Sequence, residues 1–599
     1  MANLIIIVDS DPERRTNFIN KVKPLLPPFT GLVTNSCTTG NFASIWAANS
    51  QAPISHCTNN NGAAVVWGHA ITHNSTEQIN AESLQQKWQP GKINNAFPTF
   101  DGFYAAVVYN PEHGLIVGAD LLGFFPLYYY TDENVILIGS SPELFRYYPN
   151  FNPQFNPQGL VGLLLLRVLV NGETLWSNAK RLGAGNILQW QPETGAKELE
   201  HYRLPCSREH TPYSHLSFAE HLDILDEAID QAIARHTSTS KKHNFLLSGG
   251  LDSRMLAGFL HRQGINPVAF TLGKQGDIEL ECATAVARHL NWEHQVVSTP
   301  MSQYPFYANF VVNWEHLAGG LGGTTGMVSD AHFYLKNSPA TIINGFAMNS
   351  ILGDCLRCYP ISFQSIFSEL NSKGLSQEVL SKLLNQDIFG DLLSDTLRIL
   401  KKNYEEYSDL EWQKVLYCRL YNNDRFVMGT SLWESSFGAW PILIVLDKKL
   451  LETAVLLPTS TMNKRRAQKE LVCTRFPQLA KLPLDRNSWN TEPLKPSSIR
   501  QQLSILFKAQ QKWRRLQVEF GYDRRYYYRI ADINNVGWQA VRREVEPLRS
   551  KVEHLFNMDV FNELLPPPDV KLKFKSDSIL EASGIKVLLG LLLWSKNHL

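Results

Sequence analysis

Apolar positions in the first third of the chain are grouped into short runs that Gly, Pro, Asn and Asp interrupt. Runs of this length, bounded by turn-forming residues, are typical of strands in a β-rich layered domain. A polar stretch with prolines at 205–215 follows them and predicts a linker. The runs are AAVVW (63–67), FYAAVVYN (103–110), GLIVGAD (114–120), PLYYY (126–130), NVILIG (134–139) and GNILQW (185–190).

After the linker, apolar residues recur at intervals of three and four, which predicts an amphipathic helix over 218–236. Strand-like and helix-like segments then alternate, and repeated βαβ units imply a parallel sheet. The remainder, from about 365 to 599, has mostly helical patterns. The predicted segments are strand 244–247, helix 253–262, strand 268–272, helix 277–290, strand 294–297, a helix near 328–336 and strand 340–343.

Charge and cysteine content limit the classes of partner. The 57 basic and 56 acidic side chains give a net charge of +1, so no broad field is available to hold nucleic acid or a membrane surface. The eight cysteines are scattered through 599 residues, whereas disulfide frameworks concentrate them in short secreted chains. We therefore expect a cytoplasmic protein without a nucleic-acid or membrane partner. The apolar run 587–594 is well short of the roughly 20 residues of a membrane helix and predicts a buried helix.

The stretch Ser248-Gly249-Gly250-Leu251-Asp252-Ser253 directly follows one of the predicted parallel strands. Ligands of such sheets lie beyond the carboxyl ends of the strands. Paired glycines permit unusual dihedrals and close approach to a ligand, and the N–H groups at the next helix start favour an anion. Asp252 adds a hard oxygen ligand suited to Mg²⁺. The stretch predicts a polyphosphate site; the alternative is a glycine-rich turn that caps a helix.

The run from Leu246 to Ser253 resembles the pyrophosphate loop of the asparagine synthetase superfamily, whose members adenylate a carboxylate and pass the acyl group to an amine. AFTLG (269–273) is similar to the segment that contacts the nucleotide in that family. The resemblance implies that ATP and Mg²⁺ are the cofactors and that Asp252 binds the metal. The implied cofactor-binding residues are Leu246, Ser248, Gly249, Gly250, Asp252, Ser253, Thr271, Leu272 and Gly345.

The resemblance extends over most of the chain. FDGFYAAVVYN (100–110), GADLLGFFPLYYY (118–130) and IGSSPELF (138–145) resemble the glutamine amidotransferase half of these enzymes, and LDKKLLETAVLLP (446–458) resembles their later helical region. The implied fold class is α/β. Residues 1–204 would form an Ntn-type αββα sandwich, and residues 205–599 a PP-loop ATP-pyrophosphatase domain with a parallel sheet and a helical extension.

The first half departs from the family in two places. A glutaminase of this type begins with a cysteine whose thiol and free amine act together, whereas Met1 is followed here by Ala2 and Asn3. WGHAIT (67–72) stands where the family has Asn-Gly-Glu. We therefore expect no glutaminase activity, as in the β-lactam synthetases and lasso-peptide macrolactam cyclases, whose attacking amine is already on the substrate.

The second half departs as well. Its run 344–349 reads Asn-Gly-Phe-Ala-Met-Asn, where the family usually has Ser-Gly-Glu-Gly-x-Asp. Asn349 replaces a metal-binding aspartate, and Phe346 occupies a position at which the family moves a proton. Arg486 is followed by Asn487 and Ser488 instead of the family's lysine. The implied catalytic residues are Asp252, Asn349 and Arg486; candidates for the missing charges are Lys274, Lys464, Arg465, Arg466, Asp277 and Asp354.

The sequence thus predicts an ATP-dependent, AMP-forming amide-bond ligase, most similar in build to the lasso-peptide cyclases. Its substrate would be a small-molecule or peptide carboxylate, with a precursor peptide and its processing protease as partners. One alternative is a catalytically silent homologue that binds nucleotide or peptide as a partner subunit. Another is an asparagine synthetase that uses free ammonia. Modification of tRNA is disfavoured by the neutral charge and the amidotransferase-like first half.

Overall fold

Two antiparallel sheets of six strands each form the first half of the protein in the computed structural model. The structure describes residues 3–91, 97–206, 211–238, 242–297, 341–353, 360–486, 489–496, 504–520, 532–572 and 583–599. The strands of the first half are β1 (Asn3–Val8), β2 (Val33–Thr39), β3 (Phe42–Ala48), β4 (Ile54–Asn59), β5 (Gly62–Gly68), β6 (Tyr104–Asn110), β7 (Gly114–Ala119), β8 (Tyr128–Asp132), β9 (Val135–Gly139), β10 (Lys180–Arg181), β11 (Asn186–Gln191) and β12 (Gly195–Glu200). The sheet orders are β10-β8-β9-β1-β3-β2 and β12-β11-β7-β6-β5-β4.

The two faces of each strand serve different layers, as a period of two requires. In β5, Val65 and Trp67 face the large core, whereas Ala64 and Val66 pack with Trp88 in a second apolar cluster on the opposite face. The β-rich layers predicted for the first third are therefore present. The helices of this half are α1 (Pro12–Val22), α2 (Ala81–Lys87) and α3 (Pro157–Leu166).

A five-stranded parallel sheet lies in the second half, with the order β15-β14-β13-β16-β17. Strand β13 is central: the chain adds β14 and β15 on one side and β16 and β17 on the other. The order of the strands therefore reverses between β13 and β16, and such a reversal opens a crevice at the carboxyl ends of the strands. The strands are β13 (Asn244–Leu246), β14 (Val268–Leu272), β15 (His294–Val297), β16 (Thr341–Ile343) and β17 (Trp440–Ile442).

The predicted parallel sheet is confirmed, and the rest of the second half is mostly helical, as predicted. The helix predicted near 328–336 lies outside the described residues. The helices are α4 (Phe218–Thr237), α5 (Leu251–Arg262), α6 (Ile278–His289), α7 (Met348–Ile351), α8 (Phe363–Asn371), α9 (Gln377–Leu383), α10 (Gln386–Phe389), α11 (Leu392–Tyr407), α12 (Glu411–Arg419), α13 (Arg425–Ser435), α14 (Lys448–Leu456), α15 (Thr459–Met462), α16 (Arg466–Arg475), α17 (Pro477–Ala480), α18 (Ser504–Glu519), α19 (Val536–Val545), α20 (Arg549–Val552), α21 (Met558–Leu564) and α22 (Ser583–His598).

One continuous apolar core crosses from the first half into the second. At the boundary the buried indole N–H of Trp440 donates to the carbonyl oxygen of Phe103 at 3.0 Å. The main-chain N–H of Gly102 donates to the carbonyl oxygen of Leu446 at 3.0 Å. The apolar run 587–594 is buried within α22, as predicted. Within the described ranges, none of the helices has the length and apolar character needed to span a bilayer.

Candidate active site

The loop between β13 and α5 lies at the carboxyl end of the central strand, beside the strand-order reversal. Ser248, Gly250 and Asp252 are half-exposed, whereas Gly249 and Ser253 are buried. The Ser253 hydroxyl donates to the carbonyl oxygen of Ser248 at 2.9 Å and accepts the N–H of Ser248 at 3.1 Å. The two serine hydroxyl oxygens lie 2.8 Å apart. The loop is therefore closed by its own hydroxyls and keeps one open face.

The two glycines of the loop serve close packing. The expectation of unusual dihedrals is wrong, because neither glycine has a positive φ and Gly250 has φ −83°. A Cβ on Gly249 would lie 2.9 Å from the Cβ of Cys282 and 3.0 Å from the Cβ of Asp485. One on Gly250 would meet, among the described residues, only the Ser248 hydroxyl at 3.4 Å. Gly249 thus anchors the loop to its neighbours, and Gly250 lies on the face of the loop that these residues leave open.

A second turn meets the loop across the reversal. Gly345 follows β16, and a Cβ on it would lie 3.4 Å from the Cβ of Asp252. Phe346 is half-buried, and its N–H donates to the side-chain oxygen of Asn344 at 3.1 Å. The half-exposed Asn349 lies in the short helix α7 that continues this turn. The structure therefore brings Gly345 against Asp252, with Asn349 on the same short segment.

The carboxylate of Asp252 already has two partners. Its Oδ1 accepts from Nη2 of Arg465 at 2.5 Å and from the side-chain amide of Gln468 at 2.8 Å. Among the described residues its Oδ2 has no partner, so one oxygen is available to a cation. Arg465 was a sequence candidate for the missing positive charge, but Gln468 was not predicted. Among these residues, no cluster of three His, Cys, Asp or Glu side chains is arranged to hold a metal.

Three residues predicted to contact the nucleotide, Leu246, Thr271 and Leu272, have side chains that pack against the strands of the parallel sheet. The buried hydroxyl of Thr271 donates to the carbonyl oxygen of Leu247 at 2.7 Å and lies 2.8 Å from Nε2 of His294. Leu246 and Leu272 are half-buried and pack on the opposite sheet face with Phe270. Thr271 and Leu272 thus offer a nucleotide chiefly their main chain at the end of β14.

The structure does not bring the guanidinium of Arg486 to the loop. The group is exposed and donates to the carbonyl oxygens of Glu492 at 2.8 Å and Pro493 at 3.0 Å. The preceding residue does touch the loop, because the N–H of Asp485 donates to the carbonyl oxygen of Gly249 at 2.9 Å. Lys274 is also exposed, and Asp277 caps α6. Asp354, Asn487 and Ser488 lie outside the described residues.

The first half has a buried polar network where WGHAIT meets the second half. Burial lowers the pKa of His69 in that segment to about 4. The carboxylate of Asp101 lies 2.7 Å from Nδ1 of His73 and accepts the N–H of Lys448 at 2.8 Å. Burial alone would raise the pKa of Asp101, but its hydrogen bonds with His73 and Arg235 outweigh burial and hold the pKa low. Asp101 is thus an ionised group with its lone pairs committed within the protein.

Arg235 joins the two halves, and the sequence pattern did not single it out. Its Nε donates to the carbonyl oxygen of Ser75 at 2.7 Å, and its Nη2 donates to that of Thr72 at 3.0 Å. The same guanidinium pairs with Asp101 from the first half and Asp447 from the second. Its place in the last turn of α4 is a common one for a basic residue, so only the fold reveals the interdomain role.

Two family models match the chain. The model described as a glutamine amidotransferase domain matches residues 72–203, and the asparagine synthase model matches residues 224–305, which include the loop and Thr271. No curated protein shows a significant match. The two matches fall in the two halves in the expected order. The two matches support a relation to the asparagine synthetase superfamily, and the asparagine synthase match indicates an ATP-using, ligase-type enzyme.

Proposed function

We propose that this chain is an AMP-forming amide ligase, which adenylates a carboxylate with ATP, releases pyrophosphate and passes the acyl group to an amine. The observation that carries the proposal is the meeting of two turns at the strand-order reversal. There the loop at 248–253 turns its open face beside Gly345, with a half-exposed carboxylate between them. Anionic ligands suit such a place, because main-chain N–H groups at a helix start face it.

In this proposal the loop residues Ser248, Gly249, Gly250 and Ser253 hold the phosphates. The ends of β13 and β14, at Leu246, Thr271 and Leu272, line the nucleotide pocket with Gly345. Oδ2 of Asp252 would hold Mg²⁺, which would neutralise phosphate charge when bound. Asn349, on the segment that follows Gly345, is a second candidate oxygen ligand, whereas the guanidinium of Arg486 would have to leave the carbonyl oxygens of Glu492 and Pro493 to take part.

We further propose that the amine comes from the substrate itself. In support, WGHAIT (67–72) stands where glutamine-using relatives have Asn-Gly-Glu, so the first half lacks the loop expected to hold the polar groups of glutamine. An intramolecular coupling, as in lasso-peptide macrolactam formation, needs no ammonia source. A precursor peptide and its processing protease are the partners of such a reaction, and the cytoplasm is its proposed location.

A second candidate function is that of a silent homologue that binds nucleotide or peptide without turnover. Three observations favour it. Phe346 cannot move a proton, Asn349 carries no charge, and Asp252 is paired with Arg465. An asparagine synthetase that uses free ammonia is a third candidate, and the same assay tests it.

The deciding experiment is incubation with ATP, Mg²⁺ and candidate carboxylates, followed by measurement of AMP and pyrophosphate. Addition of aspartate and ammonium chloride tests the asparagine synthetase candidate. Asp252→Asn is expected to abolish product formation, whereas Asp395→Asn, which changes an exposed carboxylate on α11, leaves it unchanged. ATP binding without AMP formation on any substrate establishes the silent homologue instead. Equal turnover of Asp252→Asn and wild type refutes the loop assignment.

A further inference from the structure

Two consecutive residues beside the loop adopt a rare backbone conformation. Lys464 has φ 52° and Arg465 has φ 59°, both in the left-handed region. Residues other than glycine are uncommon there, and those that persist cluster at active sites and ligand clamps. The arrangement places the side chain of Arg465 on Asp252. Arg465 thus lies in a strained turn, and its guanidinium pairs with Asp252, the one carboxylate in the run 248–253.

The contact is a closed network of three side chains. Arg465 donates through Nη2 to Oδ1 of Asp252 at 2.5 Å and through Nε to Oε1 of Gln468 at 2.7 Å. Gln468, which is fully buried, donates to the same Oδ1 at 2.8 Å. The side chains of Arg465 and Asp252 remain 11% and 25% exposed. The guanidinium is therefore held precisely at the open face of the loop without being sealed into the core.

The ion pair with Arg465 neutralises the Asp252 carboxylate, whose negative charge would otherwise repel a polyphosphate. A triphosphate presents several anionic oxygens, whereas Asp252 gives Arg465 a single oxygen. The planar guanidinium fork matches phosphate oxygens bidentately, and charge-assisted bonds of this kind are among the strongest in proteins. An incoming polyphosphate therefore competes with Asp252 for Arg465.

We propose that Arg465 is a phosphate-contacting catalytic residue that exchanges partners: it pairs with Asp252 in the nucleotide-free protein and moves to the polyphosphate when ATP binds. The proposal rests on the ligase function proposed above. In that reaction a substrate carboxylate oxygen attacks the α-phosphorus, the bond from this phosphorus to the bridging oxygen breaks, and pyrophosphate leaves with the electron pair. No proton moves. Arg465 stabilises the charge on the departing pyrophosphate, and the exchange leaves Gln468 as the donor to Oδ1 of Asp252 among the described residues.

Titration calorimetry with α,β-methylene-ATP, which cannot release pyrophosphate, tests the exchange without turnover. Arg465→Gln is expected to weaken binding of this analogue by about tenfold or more, the size of a lost charge-assisted contact. Binding of AMP, which lacks the β- and γ-phosphates, should change little. Arg475→Gln is the matched control, because this guanidinium, at the last residue of the same helix α16, is exposed and pairs with Asp223. It should bind as the wild type does.

The Arg465→Gln substitution in a chain that carries Asp252→Asn distinguishes two roles of Arg465: contact with phosphate, and neutralisation of the Asp252 carboxylate. If Arg465 contacts phosphate, Arg465→Gln weakens binding to a similar degree in a chain that also carries Asp252→Asn. If its effect disappears in that background, Arg465 is only a counter-ion and the proposal is overturned. Arg465→Lys keeps the charge without the fork and should bind with intermediate affinity; melting curves verify that each variant folds. A wild-type chain that binds neither the analogue nor inorganic pyrophosphate refutes the nucleotide site itself, which is a different outcome.

Discussion

The pair Gly249→Ala and Gly250→Ala tests the packing and the open face of the loop separately. A methyl group on Gly249 would lie 2.9 Å from both the Cβ of Cys282 and the carbonyl oxygen of Glu279, and 3.0 Å from the Cβ of Asp485. All three atoms belong to main chain or to its first side-chain carbon, so relief requires backbone movement. Overpacking of this kind costs about 1–3 kcal/mol. The methyl group of Gly250→Ala instead meets, within the described part of the chain, one flexible hydroxyl, that of Ser248, at 3.4 Å.

Calorimetric melting and binding of α,β-methylene-ATP distinguish the two variants. One kcal/mol shifts the melting temperature of a 150–250-residue domain by about 2–4 °C, so Gly249→Ala should melt several degrees below wild type. Gly250→Ala should stay within about 0.5 kcal/mol of wild-type stability and still lose affinity, because its methyl group enters the space assigned to phosphate. Wild-type melting of Gly249→Ala refutes the packing argument. Undiminished affinity of Gly250→Ala refutes the placement of phosphate on the open face.

Three further predictions concern buried polar groups. Arg235→Ala removes the guanidinium that two buried carboxylates, Asp101 and Asp447, share, and should cost about 3–5 kcal/mol in thermal unfolding. Removal of the exposed ion pair by Arg398→Ala should cost at most about 1 kcal/mol. Similar melting of the two variants contradicts the role of Arg235 in joining the two halves. Burial raises the pKa of Glu143 to about 8 from 4.5, so the folded protein retains a proton that the unfolded chain loses, and stability should fall as pH rises across that window. Glu143→Gln should flatten this slope in melts between pH 5 and 8, and an unchanged slope counts against the assignment. Ser253→Ala leaves the N–H of Ser248 without its acceptor and should cost about 1–3 kcal/mol; unaltered melting and nucleotide affinity would show that the hydroxyl does not close the loop.

Sequence patterns located the parallel sheet because its strands are short apolar runs bounded by polar residues. The predicted strands at 268–272 and 294–297 match β14 and β15. The helix after the loop begins at Leu251, two residues before the predicted start, because its N-cap is Gly250, which makes no side-chain cap bond that the sequence would reveal. Element type follows from local periodicity, whereas the exact boundary depends on the surroundings.

The sequence predicted individual residues of the candidate site, including Gly345 and Arg465, but not the contacts between distant ones. The loop at 248–253 is one contiguous segment, and the fold places it at the strand-order reversal. The pairing of Asp252 with Arg465 joins residues 213 positions apart, and no local pattern marks it. Arg486 illustrates the opposite case: the sequence predicts a role in catalysis, but the side chain is bound to the carbonyl oxygens of its own hairpin. Side-chain direction in an irregular segment depends on tertiary contacts.

The core that passes from the sandwich into the synthase half has a consequence for dissection of the protein. Excision of residues 3–204 would remove the acceptor of the Trp440 indole and the Asp101 partner of Arg235, and would expose an apolar surface that is now buried. The shorter product would be an aggregation-prone fragment instead of a minimal ligase. The amidotransferase-like half thus covers apolar surface of the second half, and the second half needs it for folding independently of any activity of its own.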